Sequence, residues 1–260
     1  MYEWPLEIPY EEYIRLYFLE RTLRQFVLIC LSKISEQWWK TRVPPDVRGQ
    51  AEERKAEEEQ KLKPTINLHP LWYVDFYDYV KIITRKDNWN DIFKEIFVNK
   101  DEFKVTIMKL APLRNKIAHM RPLSIREKKN LDALSEDILA PIWHFYNKLY
   151  VESAEKLINC GEFPKAEDIL KKGYNETSGD AWIAYKLGEL YFHTGRLEEA
   201  REWLTIAKTY LPLPRYKKLA EEKLIQLEQK IKIAATKKCP QCGNIVSRNH
   251  NFCGVCGYRF

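Results

Sequence analysis

"LAPLRNKIAHMRPLSIREKKNLDAL" spans residues 110–134, and its punctuation sets the fold of the first half of the chain. Pro112 fits the first turn of a short helix, where a missing N–H costs nothing. Pro122 closes that helix, because the preceding residue, Arg121, is pushed toward extended geometry. Ser124 followed by Glu127 forms a capping box, so a new helix opens there and runs toward Tyr146. Inside the short helix lie Arg114, Asn115 and His119. Only the histidine among them trades a proton near neutral pH, and the arginine is a permanent cation whose planar fork suits a phosphate.

Upstream, the chain reads as helix throughout. Leu16, Leu19, Leu23, Phe26, Cys30 and Ile34 recur at steps of three and four, one apolar stripe along a long helix. "VPPDVRG" interrupts it. "QAEERKAEEEQKLK" (50–63) is a solvated helix or a mobile arm. "LWYVDFYDYVKII" (71–83) fits a helix, although its aromatic and β-branched content also suits a strand.

Shifting the chain by 34 residues superposes Ala154 on Gly188, Gly161 on Gly195, Ala166 on Ala200 and Leu170 on Leu204. That period belongs to the tetratricopeptide repeat. The copy at 181–214 resembles the repeat closely, with Leu187, Gly188, Tyr191, Ala200, Ala207 and Pro212 in register. The first copy is degenerate, with Ser153 and Gly173 where the family prefers Leu and Ala. "RYKKLAEEKLIQLEQKI" (215–231) reads as a polar capping helix. Two repeats are too few to stand alone, so they are expected to pack on the preceding helices.

"KKCPQCGNIVSRNHNFCGVCGYRF" closes the chain and resembles a zinc ribbon. Cys239 and Cys242, then Cys253 and Cys256, form two C-x-x-C turns ten residues apart. Each turn aims two thiolates at one point, and four sulfurs close a tetrahedral Zn²⁺ shell with no open position, so the metal is expected to be structural. His250 is expected to be solvent-exposed. Cys30 and Cys160, alone in helical segments, are expected to be small buried side chains.

The chain has 260 residues, 45% of them apolar and 13% aromatic, enough for real cores and against global disorder. Its formal charge of +6 is uneven. Residues 100–129 hold nine basic and three acidic side chains, and residues 230–260 hold six basic and none acidic. Two basic islands in an otherwise acidic chain suggest anionic partners. "MYEWPLEIPYEEY" lacks a signal-peptide pattern, and the longest apolar run, "FVLICL" (26–31), is too short to span a bilayer. A soluble cytoplasmic protein with no membrane partner is expected.

An arginine and a histidine five apart say little alone: 15 arginines and 5 histidines in this length give about 0.3 such pairs by chance. The context says more. "LAPLRNKIAHMRPLS", with Asn115 after the arginine, Ala118 before the histidine and Arg121-Pro122-Leu123 after it, resembles the signature of the HEPN superfamily. "WWK", "VPPD", "FYDYVKII" and "NWNDIF" upstream extend the resemblance over most of 10–146. The expected fold is therefore mainly all-α: a HEPN helical bundle (1–146), tetratricopeptide helix pairs with a capping helix (147–232) and a zinc ribbon (233–260). The resemblance implies a metal-independent endoribonuclease, often a toxin or phage-defence effector, whose composite site forms in a homodimer. RNA cleavage through the 2′-hydroxyl needs a base, an acid and positive charge on the phosphorane. Two copies meeting motif to motif supply two histidines and two arginines. Arg114 would hold phosphate, His119 would move protons, Asn115 would orient, and Lys109, Lys116 and Arg121 would draw in RNA. Helical geometry sets Arg114 and His119 about 140° apart around the axis, whereas Asn115 and His119 share a face. The alternative is a non-catalytic adaptor that dimerises through the bundle and binds a protein in the tetratricopeptide groove. His69, His144 and His193 are expected to be ordinary core or surface residues.

Overall fold

The computed structural model describes residues 9–260; most of the N-terminal stretch read for a signal peptide, residues 1–8, lies outside the described residues. The fold is mainly all-α, as the periodicity requires. Helix α1 (Tyr10–Ser32) buries Leu16, Leu19, Leu23, Phe26 and Cys30. Its stripe ends there, since Ile34 lies beyond the helix and is 36% exposed. Short α2 (Trp38–Arg42) leads into α3 (Pro45–Leu62), which buries only Val47 and Ala51 and is thus a solvated helix.

The segment 71–83 is not one helix. His69 Nδ1 accepts from the N–H of Leu71 and starts a 3₁₀ turn at Pro70–Tyr73, which Val74 ends in extended geometry. Helix α4 (Asp78–Thr84) begins afterwards. The break lets Leu71, Val74, Phe76 and Tyr79 all reach the core, a set without helical spacing. Arg54 Nη1 donates to the carbonyl of Tyr73 at 2.9 Å, satisfying one group that the break frees.

Helix α5 (Lys86–Asn88), a π turn at Trp89–Phe93 and α6 (Lys94–Phe97) precede α7 (Lys100–Ala118). The Asn99 side chain caps α7 by accepting from the N–H groups of Asp101 and Glu102. Pro112 therefore lies inside a helix of 19 residues and not at the start of a short one. An interior proline costs about 3 kcal/mol. Burial of Phe103, Ile107, Leu110, Leu113 and Ile117 along one stripe offsets that. Pro112 and Met108, whose carbonyl loses its partner, both face solvent.

Helix α8 (Ile125–Tyr146) opens with the expected capping box, both reciprocal bonds present. It runs through a π turn (Asn147–Val151) directly into α9 (Glu152–Asn159), so no linker separates the bundle from the repeats. Helices α9 and α10 (Phe163–Glu176) form the first pair, and α11 (Ala181–His193) and α12 (Leu197–Tyr210) the second. Helix α13 (Pro214–Ala234) covers the end. A Cβ on Gly188 would come within 2.7 Å of Leu204, so only glycine permits that helix spacing. Gly161 and Gly195 end α9 and α11 with positive φ and the same pair of bonds, 34 residues apart.

One contiguous core runs from Leu16 to Leu227 through bundle and repeats. The repeats dock on the polar side of α1. Arg15 Nε donates to the carbonyl of Pro212 at 2.8 Å and Gln25 Nε2 to that of Glu176 at 2.7 Å. Cys30 is buried as expected, and burial pushes its thiol up to about 12. Cys160 is exposed: it caps the end of α9, where the chain turns outward. Among the described residues no helix is long and apolar enough to cross a membrane.

Candidate functional site

Helix α7 stays regular through Ala118 and stops at His119, whose backbone (φ −95°, ψ 21°) is its C-cap. The N–H of Met120 bonds the carbonyl of Ile117 at 2.8 Å and that of Arg121 bonds Lys116 at 2.9 Å, the paired bonds of a Schellman turn. Met120 adopts φ +53°, a position glycine usually takes. The turn leaves His119 exposed at the helix tip, and no hydrogen bond or ion pair of its side chain occurs among the described residues. Helix regularity keeps the angular gap between Arg114 and His119.

Arg114 faces α1. Its Nε donates to Glu20 Oε1 at 2.9 Å, and its Nη1 lies 3.4 Å from Asn115 Oδ1. Glu20 also sits 3.9 Å from Arg24, so one carboxylate lies between two guanidinium groups. Two shallow clefts meet at Arg114. One, of about 210 Å³, is lined by Tyr13, Leu16, Tyr17, Glu20 and Ala118. The other, of about 300 Å³, is lined by Asp75, Phe76, Tyr77, Ala111 and Asn115. Spacing in α7 gave no hint of Glu20, 94 positions earlier; its only signal is its place at the edge of the stripe, between Leu19 and Leu23.

The remaining basic residues do not gather there. Lys116 Nζ binds both oxygens of Glu127, at 2.9 and 2.8 Å. That contact, followed by the backbone N–H and hydroxyl of Ser124, holds the Glu127 carboxyl down to about 2. Glu127 thereby ties the tip of α7 to the start of α8. Lys109 lines a different and larger cleft, of about 840 Å³, with Phe97, Asn99, Glu136 and Pro141. Arg121 is exposed beyond the turn. The structure thus joins Arg114 with Asn115 and leaves Lys109 and Lys116 on the α8 side. His69 stacks on Trp38 at 5.1 Å, and burial lowers its pKa; His144 and His193 are exposed.

A second constellation closes the chain. Strands β1 (Thr236–Lys238) and β2 (Ile245–Ser247) pair antiparallel, Lys237 opposite Val246. Two similar turns follow their cysteines: the N–H of Gly243 bonds Cys239 and that of Gly257 bonds Cys253, each at 2.9 Å with φ +74° at the glycine. The sulfurs of Cys239, Cys242, Cys253 and Cys256 lie within 4.8 Å of one another, and two pairs stand 3.5 Å apart. A tetrahedral thiolate shell needs sulfurs about 3.8 Å apart, so the four could hold one metal ion. Backbone N–H groups of Cys256 and Val255 hold the Cys253 thiol down to about 6, whereas the neighbouring sulfurs raise the thiols of Cys242 and Cys256, as four thiols crowded at one point must share their protons. His250 is exposed and outside the cluster.

Residues 15–140 match the family model of the Swt1-like HEPN domain, and residues 157–222 match the tetratricopeptide repeat. No curated protein and no solved structure matches the chain. The chain therefore carries a Swt1-like HEPN domain, with tetratricopeptide repeats packed behind it and a four-cysteine cluster at its C-terminal end.

Proposed function

We propose that this protein is a metal-independent endoribonuclease working as a homodimer. The observation that supports it is the tip of α7, where an exposed imidazole, without a partner among the described residues, follows an arginine–asparagine pair that touches at 3.4 Å. One imidazole takes the proton of an RNA 2′-hydroxyl, whose oxygen attacks the adjacent phosphorus. A second, from the other copy, returns a proton to the departing 5′-oxygen, leaving a 2′,3′-cyclic phosphate and a 5′-hydroxyl. Arg114 stabilises charge on the phosphorane, and Asn115 orients the phosphate or the imidazole. Two-fold pairing also answers the angular gap in α7, because Arg114 of one copy can serve His119 of the other. Arg121, beside the tip, draws in RNA, with Lys109 at longer range; Lys116 contributes less, being paired with Glu127. The chain divides functionally at 1–146, 147–232 and 233–260, and Zn²⁺ in the last segment is structural.

One observation favours a second reading. Arg114 is engaged by Glu20 in the single chain, as expected of a bundle kept only for dimerisation. The tetratricopeptide groove would then do the work by binding a protein partner. Cleavage of total RNA in EDTA by the wild type and by His119→Ala decides between them, with metal content checked afterwards. Cyclic-phosphate ends that vanish in the variant support the nuclease; absence of cutting by either protein favours the adaptor.

A further inference from the structure

We propose that the four-cysteine module is a platform for single-stranded RNA, which it grips by stacking bases on exposed rings and neutralising phosphates. The inference deepens the nuclease reading and rests on it for RNA over DNA.

The module's own core is small: Cys239, Val246 and Cys253, with Cys256 against them. Its other large apolar side chains stay outside. Phe252 is 57% exposed, Tyr258 37% and Phe260 38%. Such a cluster of rings on a small unit marks a binding face. Charge selects the kind of partner. Residues 230–260 contain six Lys and Arg and no carboxylate side chain. Four thiolates on a divalent ion subtract two, leaving about +4.

Rings and cations are interleaved. The Lys237 ammonium lies 3.9 Å from the centre of Phe260, and the Arg259 guanidinium lies 5.8 Å from that of Phe252. Phe252 and Arg259 face each other across a β-bridge, and the N–H of Phe260 bonds the carbonyl of Asn251 at 3.0 Å, which anchors the last ring. An apolar protein surface would strand these cations, and an acidic one would leave the rings unused. A single strand uses both, bases on rings and phosphates on cations. A duplex fits poorly, because strands of three residues do not fill a groove.

The test uses the full-length, metal-loaded protein and a fluorescent 2′-O-methyl oligouridine of about 16 nucleotides. This strand lacks the attacking hydroxyl, so binding is read apart from cleavage. Phe252→Ala and Phe260→Ala should each weaken binding about tenfold. Lys237→Gln with Arg259→Gln should flatten the salt dependence by about 1.4 in the log–log slope. Metal content, measured for every variant, should match the wild type, because these side chains lie outside the metal core. Ring-dependent binding without any RNA cutting leaves the platform standing and removes the nuclease. Wild-type affinity in both ring variants overturns the platform, as does a wild type that fails to bind. Equal binding of polyglutamate, insensitive to the rings, overturns it in favour of an acidic protein.

Discussion

Arg114 Nε donates to Glu20 Oε1 at 2.9 Å, joining the arginine of α7 to a carboxylate of α1 that stands 94 positions earlier. The bond uses the inner edge of the guanidinium and leaves the terminal nitrogens for a phosphate, with Nη1 already beside Asn115. Glu20 thus acts as a positioning residue in the proposed site. Its net worth to stability is under about 1 kcal/mol, since the Arg114 side chain is 34% exposed. Glu20→Ala should lower RNA cleavage about tenfold, through misplacement of the arginine. Glu20→Gln keeps an acceptor and should restore most of the rate. Single-turnover cleavage by both variants checks this. Equal loss in both would mean that the negative charge, and not orientation, matters.

Met120 makes the turn after the motif costly. It holds φ +53° and is 61% exposed, so it suffers left-handed strain with little packing in return. Met120→Gly should stabilise the protein by about 0.5–1 kcal/mol, after allowing for the greater freedom of glycine in the unfolded chain. Urea unfolding measures the change. A variant no more stable than the wild type would show that Met120 packs in solution, as it would against a second copy.

The fold was largely legible where residues act locally. The Ser124–Glu127 box, the 34-residue period and the paired C-x-x-C turns each encode their geometry within a few residues. Local signals misled where burial overrode them. Pro112 reads as a helix start, yet the stripe from Phe103 to Ile117 carries the helix past it. The 71–83 segment reads as one element, yet its core residues are reached only by breaking it. At the candidate site the motif residues were legible and Glu20 was not, because the pairing depends on how α1 packs on α7. Burial of Arg15, Thr22 and Gln25 on α1 likewise depends on the repeats docking there.

The four-cysteine module should depend wholly on its metal. Its core offers only Val246 besides the cysteines, too little apolar surface to offset ordering the chain. A strong chelator at neutral pH should release one metal ion per chain and expose residues 236–260 to proteolysis. The helical unfolding transition should stay in place, since the contiguous core of bundle and repeats ends at Leu227. Metal analysis beside limited proteolysis reads both effects. A module that resists protease after metal loss would contradict this account.

Asp180 should make the seam between α1 and the repeats weaken as pH rises. It caps α11 by accepting from the N–H groups of Trp182 and Ile183 at 2.9 and 3.3 Å, and Thr22 of α1 donates to its second oxygen at 3.4 Å. Burial pushes its carboxyl up to about 6, against about 3.9 in an unfolded chain. Between those values the folded state holds more protons than the unfolded one, so this group's contribution to stability falls as pH rises through the window and is lost above about 6. Two units correspond to about 2–3 kcal/mol. Asp180→Asn keeps an oxygen to cap the helix and removes the titration. Relative to the wild type, it should therefore gain about 2 kcal/mol between about pH 4.5 and about pH 7.5, the rest of the shift lying below that window. Glu12 and Glu127, whose lowered pKa values lend stability that is lost in acid, are common to both proteins and cancel in the comparison. Urea unfolding at the two pH values measures the difference. Parallel profiles would mean that Asp180 reaches solvent and titrates as it does in the unfolded chain.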